Sequence, residues 1–263
     1  RWLREGRRWL MFLQDSSTNY LATFLAALGV SAVKGLDLNF VTMPRRAKMA
    51  LGVLATLEST TGDGARLPLI PIEYNQLEPL LAATSGVTDA NDSSGYSPFP
   101  GNTNAIFVSL PVYEQAIRKT GGAVREFVNP KYTDVSRSHF KSPTRLECMM
   151  QDVAWLFQEG ETSTSVGYTS VPMEFGYFPC KNDLTTAAKL SAAGVPAYSA
   201  STAEMAVYHA HASALRASGC MVGSPRERTF HGVSVPLGAA IVLHPSFAPC
   251  MSILRRKFGS PSL

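Results

Sequence analysis

Four residues at the ends of strand-length runs or in the loops adjoining them carry the side chains best suited to chemistry in this 263-residue sequence: Asp15, Glu73, Asn102 and Lys181. Asp15 follows the run WLMFL and the Gln14 that ends it. A carboxylate at the carboxyl end of a strand is a ligand for a hard cation carrying phosphate; the competing reading is an aspartate that caps the next helix. Glu73 follows LPLIPI and offers two acceptor oxygens to sugar hydroxyls, or it is a structural acid held by a partner. Gly101-Asn102 closes SPFPGN, a segment stiffened by its prolines. The glycine lets backbone approach a ligand closely, and the asparagine has both a donor and an acceptor for a hydroxyl pair. Lys181, beside Asn182 in the aromatic loop MEFGYFPCKND, is a phosphate partner, and Lys131 in NPKYTD is a further cation or a solvated lysine. The set suits a phosphorylated sugar and a magnesium ion.

Other chemistries are poorly supplied. There is no GxSxG, no HExxH and no cysteine with a convincing histidine, which argues against nucleophilic and zinc chemistry. His209 and His211 are two apart on a helical stretch, so they point in different directions and do not chelate one ion. Cys148, Cys180, Cys220 and Cys250 show no CxxC pair, which suits a reducing compartment better than a disulfide framework. A formal charge of +4 fits phosphorylated ligands but is no nucleic-acid footprint, because the basic residues form no single stripe. Hydrophobic residues at 45% and charged residues at 17% describe a globular chain with a sizeable core. The longest apolar run, 21–33, is too short to span a bilayer, and the basic RWLREGRRWL runs straight into a strand, unlike a targeting leader.

The elements that must position these residues alternate. Strands are expected at 9–13, 36–43, 51–57, 67–72, 105–110, 124–128, 166–171 and 233–243. Helices are expected at 18–28 with Gly29 as the stop, 75–84, 111–119, 184–190, and 201–218 opened by a Ser201–Glu204 capping box. A further helix should start at Ser142-Pro143 and present Leu146, Met149, Met150, Val153 and Phe157 on one face, with Lys141 and Arg145 near its start as possible phosphate contacts. A basic amphipathic helix, SFAPCMSILRRKF, closes the sequence. Asp63-Gly64 reads as a hairpin turn and not as a phosphate loop, since a strand follows. The polar loop 86–104 is long enough to be functional. Strand, turn and helix in repetition imply an α/β fold.

The segments LDLNFVTMPRRAKMALGVLATL, IEYNQLEPLLAAT, GYSPFPGNTNAI, KTGGAVREFVNPKYTD, FKSPTRLECMMQD and PAYSASTAEMAVYHA, in that order, resemble the catalytic domain of the UDP-sugar pyrophosphorylases. The resemblance implies a Rossmann-like mixed sheet flanked by helices, of the nucleotide-diphospho-sugar transferase type. It implies a cytoplasmic, Mg²⁺-dependent uridylyltransferase that joins UTP and monosaccharide 1-phosphates into UDP-sugars and pyrophosphate, with no nucleic-acid or membrane partner. By the same resemblance Asp15 holds the metal, Glu73, Gly101 and Asn102 contact the sugar, and Lys181 binds phosphate, with Asn182 and Lys131 also substrate-binding. Residues 1–225 would be the sugar-side part of the catalytic domain and 226–263 the start of a truncated C-terminal region. The family's QDTN reads QDSS here, with Ser17 in place of asparagine, and its glycine-rich nucleotide loop would lie before Arg1. The isolated chain is therefore expected to be inactive alone. The alternative is a non-catalytic, sugar-phosphate-binding remnant.

Overall fold

The computed structural model describes residues 1–18, 20–58, 69–128, 132–134, 136, 138–157 and 164–258. The chain divides into two compact units: Arg1–Phe12 with Val30–Thr169, and Leu13–Gly29 with Ser170–Leu263. In chain order the elements are β1 (Trp9–Phe12), α1 (Tyr20–Lys34), β2 (Leu38–Met43), β3 (Val53–Ala55), β4 (Ile70–Ile72), α2 (Tyr74–Thr84), β5 (Gly101–Ser109), α3 (Leu110–Thr120), β6 (Glu126–Val128), β7 (Leu146–Cys148), α4 (Val153–Leu156), β8 (Val166–Ser170), α5 (Leu184–Ala192), α6 (Ala200–Ala217), β9 (Arg226–Phe230), β10 (Val233–Leu237) and α7 (Met251–Lys257). The α/β class expected from the sequence is what forms.

The first unit is organised around β5. One edge of β5 carries β2, from Leu38 opposite Val108 to Met43 opposite Gly101. The other edge is shared by β1, with Trp9 opposite Ser109, and β3, with Val53 opposite Gly101. The sheet order is β4-β3-β5-β2-β8. Asn39 lies beside Thr169 and Leu38 beside Ser165, numbers that rise together, so β8 runs parallel to β2 and the sheet is mixed. The pleat separates two faces. Leu38, Phe40, Ile106 and Val108 share a core with Ala116 of α3 and Val153, Ala154 and Leu156 of α4. Each of the leucine, isoleucine, valine and phenylalanine side chains taken fully out of water stabilises the fold by about 1.5–3 kcal/mol. Asn39, one residue along, is on the opposite face, where its amide donates to Ser31 Oγ at 2.9 Å.

The second unit has its own core: Ala187 of α5, Ala197, Met205 of α6, and Val233 and Val235 of β10. Residues after 225 thus share a core with residues before it. The β9–β10 hairpin is antiparallel, Val233 opposite Phe230.

Three local expectations give way. Gly29 does not end α1. A Cβ there would meet open space, the helix continues to Lys34, and Gly35, with φ 64°, makes the left-handed exit. The helix expected from Ser142 is replaced by β7 paired to β6, a 3₁₀ turn at Met150–Asp152, and the single-turn α4. Leu146 is 65% exposed, so the upstream half has no core to bury a helical face against, and only Val153 to Phe157 meet one. The capping box of α6 sits two residues earlier than expected: Ser199 Oγ accepts the Thr202 N–H and Thr202 Oγ1 accepts the Ser199 N–H. The Asp63-Gly64 turn lies outside the described residues.

Candidate functional site

In the second unit, two segments separated by some 160 residues are stitched together around Asp15 and Lys181. Ser17 and Pro179 form an antiparallel bridge, the Cys180 N–H donates to the Ser16 carbonyl at 2.8 Å, and the Phe178 N–H donates to Ser17 Oγ at 3.4 Å. Along the chain, Asp15 and Lys181 each lie one residue outward of the Ser16–Cys180 hydrogen bond. Ser17 is 8% exposed and serves this seam. Tyr177 adds a side-chain tie, its hydroxyl donating to Gln14 Oε1 at 2.7 Å.

The lysine is held from behind by Tyr198. This residue adopts φ 45°, in the left-handed region, and its carbonyl receives the N–H groups of both Lys181 (2.8 Å) and Asn182 (3.1 Å). Asn182 then donates its side-chain amide to the Ala197 carbonyl at 2.8 Å, so it fixes the loop by its side chain. Lys181 Nζ lies 5.3 Å from the centroid of the Tyr177 ring, a cation–π contact. Burial and the neighbouring Tyr177 push the Tyr198 hydroxyl above its ordinary pKa. Asp15 and Lys181 are both exposed, and among the described residues neither is ion-paired. Asp183, next to Asn182, is the cap of α5: it accepts the Thr186 N–H at 2.8 Å, which holds its carboxyl below the usual range.

In the first unit, four chain segments meet at one end of the sheet. Ile72 is opposite Val53, Val53 is opposite Gly101, and Met43 is opposite Gly101. Glu73, Gly52 and Gly101-Asn102 consequently converge there. Glu73 begins α2 without capping it through its side chain, and a Cβ on Gly52 would lie 3.5 Å from Glu73 Oε1. Asn102 lies inside β5, not before it as the sequence suggested, and is 2% exposed. Its N–H donates to the Gly52 carbonyl at 2.8 Å and its Oδ1 accepts the Asn104 N–H at 3.1 Å. Asn104 has φ 61° where the β2–β5 register shifts, a bulge that re-aims the start of the strand. No side chain fits at Gly101: a Cβ would stand 2.5 Å from Leu51 Cδ2.

Sequence reasoning took TRLECMMQD for packing and missed its last two residues. Gln151 and Asp152 are both buried. The Gln151 amide donates to Asn104 Oδ1, and Asp152 is close enough to Glu73 and Arg125 to feel both charges. Burial pushes the Asp152 carboxyl up to about 6, Arg125 opposes the rise, and Glu73 adds to it. Arg125 stacks on Trp155 with Cζ 3.8 Å from the ring centroid. Arg125, Asp152, Trp155 and Lys119 line a cavity of about 330 Å³. The available signal was a polar Gln-Asp pair interrupting an apolar run. Lys141 and Arg145 are exposed on the approach to β7. Lys131 lies outside the described residues.

Among the described residues no three His, Cys, Asp or Glu side chains cluster as a metal cage. Magnesium is commonly held by one or two carboxylates together with substrate phosphates and water. The exposed carboxylate of Asp15 fits an ion brought in on a phosphate.

No family model matches the chain. It is 40% identical over 262 residues to a UDP-sugar pyrophosphorylase from Oryza sativa subsp. indica, covering 99% of this chain and 41% of the relative. It is 39% identical over 259 residues to one from Arabidopsis thaliana, covering 98% and 41%. The chain thus spans about two fifths of the length of these curated relatives. Its fold is similar to that of the uridine diphosphate N-acetylglucosamine pyrophosphorylase from Trypanosoma brucei, with TM-score 0.57 and 15% identity over 82% of this chain and 38% of that one.

Proposed function

We propose, on the premise that the chain is homologous over nearly all its residues to the UDP-sugar pyrophosphorylases, that it is the sugar-side segment of a uridylyltransferase. The reaction is UTP plus a monosaccharide 1-phosphate giving a UDP-sugar and pyrophosphate. The observation that supports this reading is the antiparallel bridge between Ser17 and Pro179 with the Cys180–Ser16 hydrogen bond, which joins the segment that carries Asp15 to the one that carries Lys181.

In this transfer the sugar phosphate is itself the nucleophile, so the protein supplies position and charge and no covalent partner. Lys181 meets phosphate oxygens and Asp15 holds the magnesium ion, which neutralises charge on the phosphates when bound. Glu73 accepts from sugar hydroxyls, Asn102 donates and accepts, and Gly52 and Gly101 let them lie against bare backbone. Asn182 keeps the lysine loop in place, and Lys131 is assigned to substrate binding from its sequence alone. Residues 1–225 are assigned to the catalytic domain. Among the described residues no helix is long and apolar enough to cross a membrane; the proposed location of the enzyme is the cytoplasm.

The full-length protein containing this chain should release pyrophosphate from UTP and glucose 1-phosphate only with Mg²⁺ present. The isolated 263-residue chain should not. No uridylyl transfer by the full-length protein, with a panel of sugar 1-phosphates, removes the reading.

A further inference from the structure

Arg45 is 1% exposed, and an arginine is almost never so buried without a charge partner. It lies in PRRAKMALG, the irregular segment between β2 and β3. Its partner is Asp89, 4% exposed, in the equally irregular segment 86–100, with Nη1 and Oδ2 2.8 Å apart. The same guanidinium braces its own loop: Nε donates to the Leu51 carbonyl and Nη2 to the Met49 carbonyl, both at 3.1 Å. Asp89 in turn accepts the Lys48 N–H at 2.7 Å and the Ser97 hydroxyl at 2.8 Å. The Ser97 N–H returns to the Arg45 carbonyl at 2.7 Å. Burial pushes the Asp89 carboxyl up, but these donors and the Arg45 charge outweigh it and hold it below the usual range. The pair is charged at neutral pH.

This knot lies against the sugar-side cluster. A Cβ on Gly101 would come within 3.2 Å of Arg45 Cβ. The braced residue Leu51 precedes Gly52, whose carbonyl receives the Asn102 N–H at 2.8 Å. One loop therefore ends at Gly52, the other at Gly101-Asn102, and the Arg45–Asp89 ion pair, with the Lys48 and Ser97 hydrogen bonds beside it, ties the two. We propose that Arg45 and Asp89 are positioning residues that fix Gly52 and Asn102 for the sugar, an inference that rests on the uridylyltransferase reading. They act through the backbone they brace and touch no substrate. Removing one charge leaves the other buried without its counter-ion, and a displacement of even an ångström at a contacting group is costly to binding and rate.

The test is Asp89→Asn and Arg45→Lys in the full-length protein. Asp89→Asn keeps the shape and loses the charge; Arg45→Lys keeps the charge and loses the fork. The KM for the sugar 1-phosphate should rise about tenfold in Asp89→Asn and less in Arg45→Lys, with the KM for UTP and kcat within about threefold of the parent. The Asn102 amide should also exchange faster in both. A folded Asp89→Asn protein with the parental sugar KM overturns the proposal, as does an equal rise in both KM values. If Asp89→Asn does not fold, Arg45→Lys decides by the same outcomes. A parent protein without uridylyl transfer removes the proposed function instead, and the exchange rate of the Asn102 amide then decides the positioning role.

Discussion

The backbone N–H of Cys180 donates to the carbonyl of Ser16 across 2.8 Å, the innermost tie beside the two side chains with the strongest claim to the chemistry. Because Asp15 and Lys181 each sit one residue outward of that bond, neither depends on its own side-chain contacts for placement. Asp15→Ala should therefore leave the fold intact while abolishing Mg²⁺-dependent turnover of the full-length protein. The check is a magnesium titration of initial rate beside a melting curve; near-normal activity removes Asp15 from the metal role.

Lys181 approaches the ring of Tyr177 and otherwise points its charge to solvent. Its removal takes away a donor aimed at charge that grows during transfer. By comparison with deletion of one oxyanion donor, Lys181→Ala should lower kcat on the order of 10²–10³-fold. Steady-state kinetics decide this, and a loss confined to KM would recast the lysine as a ground-state contact.

Gly101 is required by space, not by backbone angle. A methyl there meets Leu51 Cδ2 at 2.5 Å and the Met43 carbonyl at 3.3 Å, and Leu51 is itself buried. Gly101→Ala should destabilise the protein by about 1–3 kcal/mol, as overpacking does. It should also weaken sugar 1-phosphate binding through the adjacent Asn102. Denaturant midpoints and the sugar KM report the two effects separately.

Asp152 gives the fold a pH dependence of definite sign. Its carboxyl holds a proton up to about pH 6 when folded, against 3.8 for the ordinary group. Folding therefore binds protons between those values, and stability falls as pH rises from about 4 through 6 and stays lowered above. Asp152→Asn removes the penalty and should raise stability at pH 8 by on the order of 1–2 kcal/mol, with no gain at pH 4. Urea midpoints at the two pH values test it; an equal or lower midpoint at pH 8 contradicts it.

Much of this was legible in the residues. The runs at 9–13 and 36–43 hold strands because both are mainly apolar and of strand length, 166–171 holds one because Val166, Tyr168 and Thr169 favour extended backbone, and Glu73 stands at the start of a helix as its neighbours implied. The Ser142–Phe157 segment misled because helical spacing says nothing about whether a face will find a core. Leu146 finds none, and pairing with β6 wins. The Arg45–Asp89 ion pair and the convergence of Gly52 with Asn102 join residues tens of positions apart, and no local pattern announces such a meeting. Asp152 was hidden for a similar reason: its environment is made by Glu73 and Arg125, both far away in sequence.

The second unit is assembled from two separated stretches, and Thr18 donates to the Ala203 carbonyl across 185 positions. On a ribosome the Asp15 turn emerges first and has no seam to join. At 5–20 residues per second its partner strand arrives roughly 10–30 seconds later. The segment that carries Asp15 thus waits for the one that carries Lys181 before the bridge between them forms. A nascent chain interrupted before residue 179 has made its Asp15 without the segment that positions it.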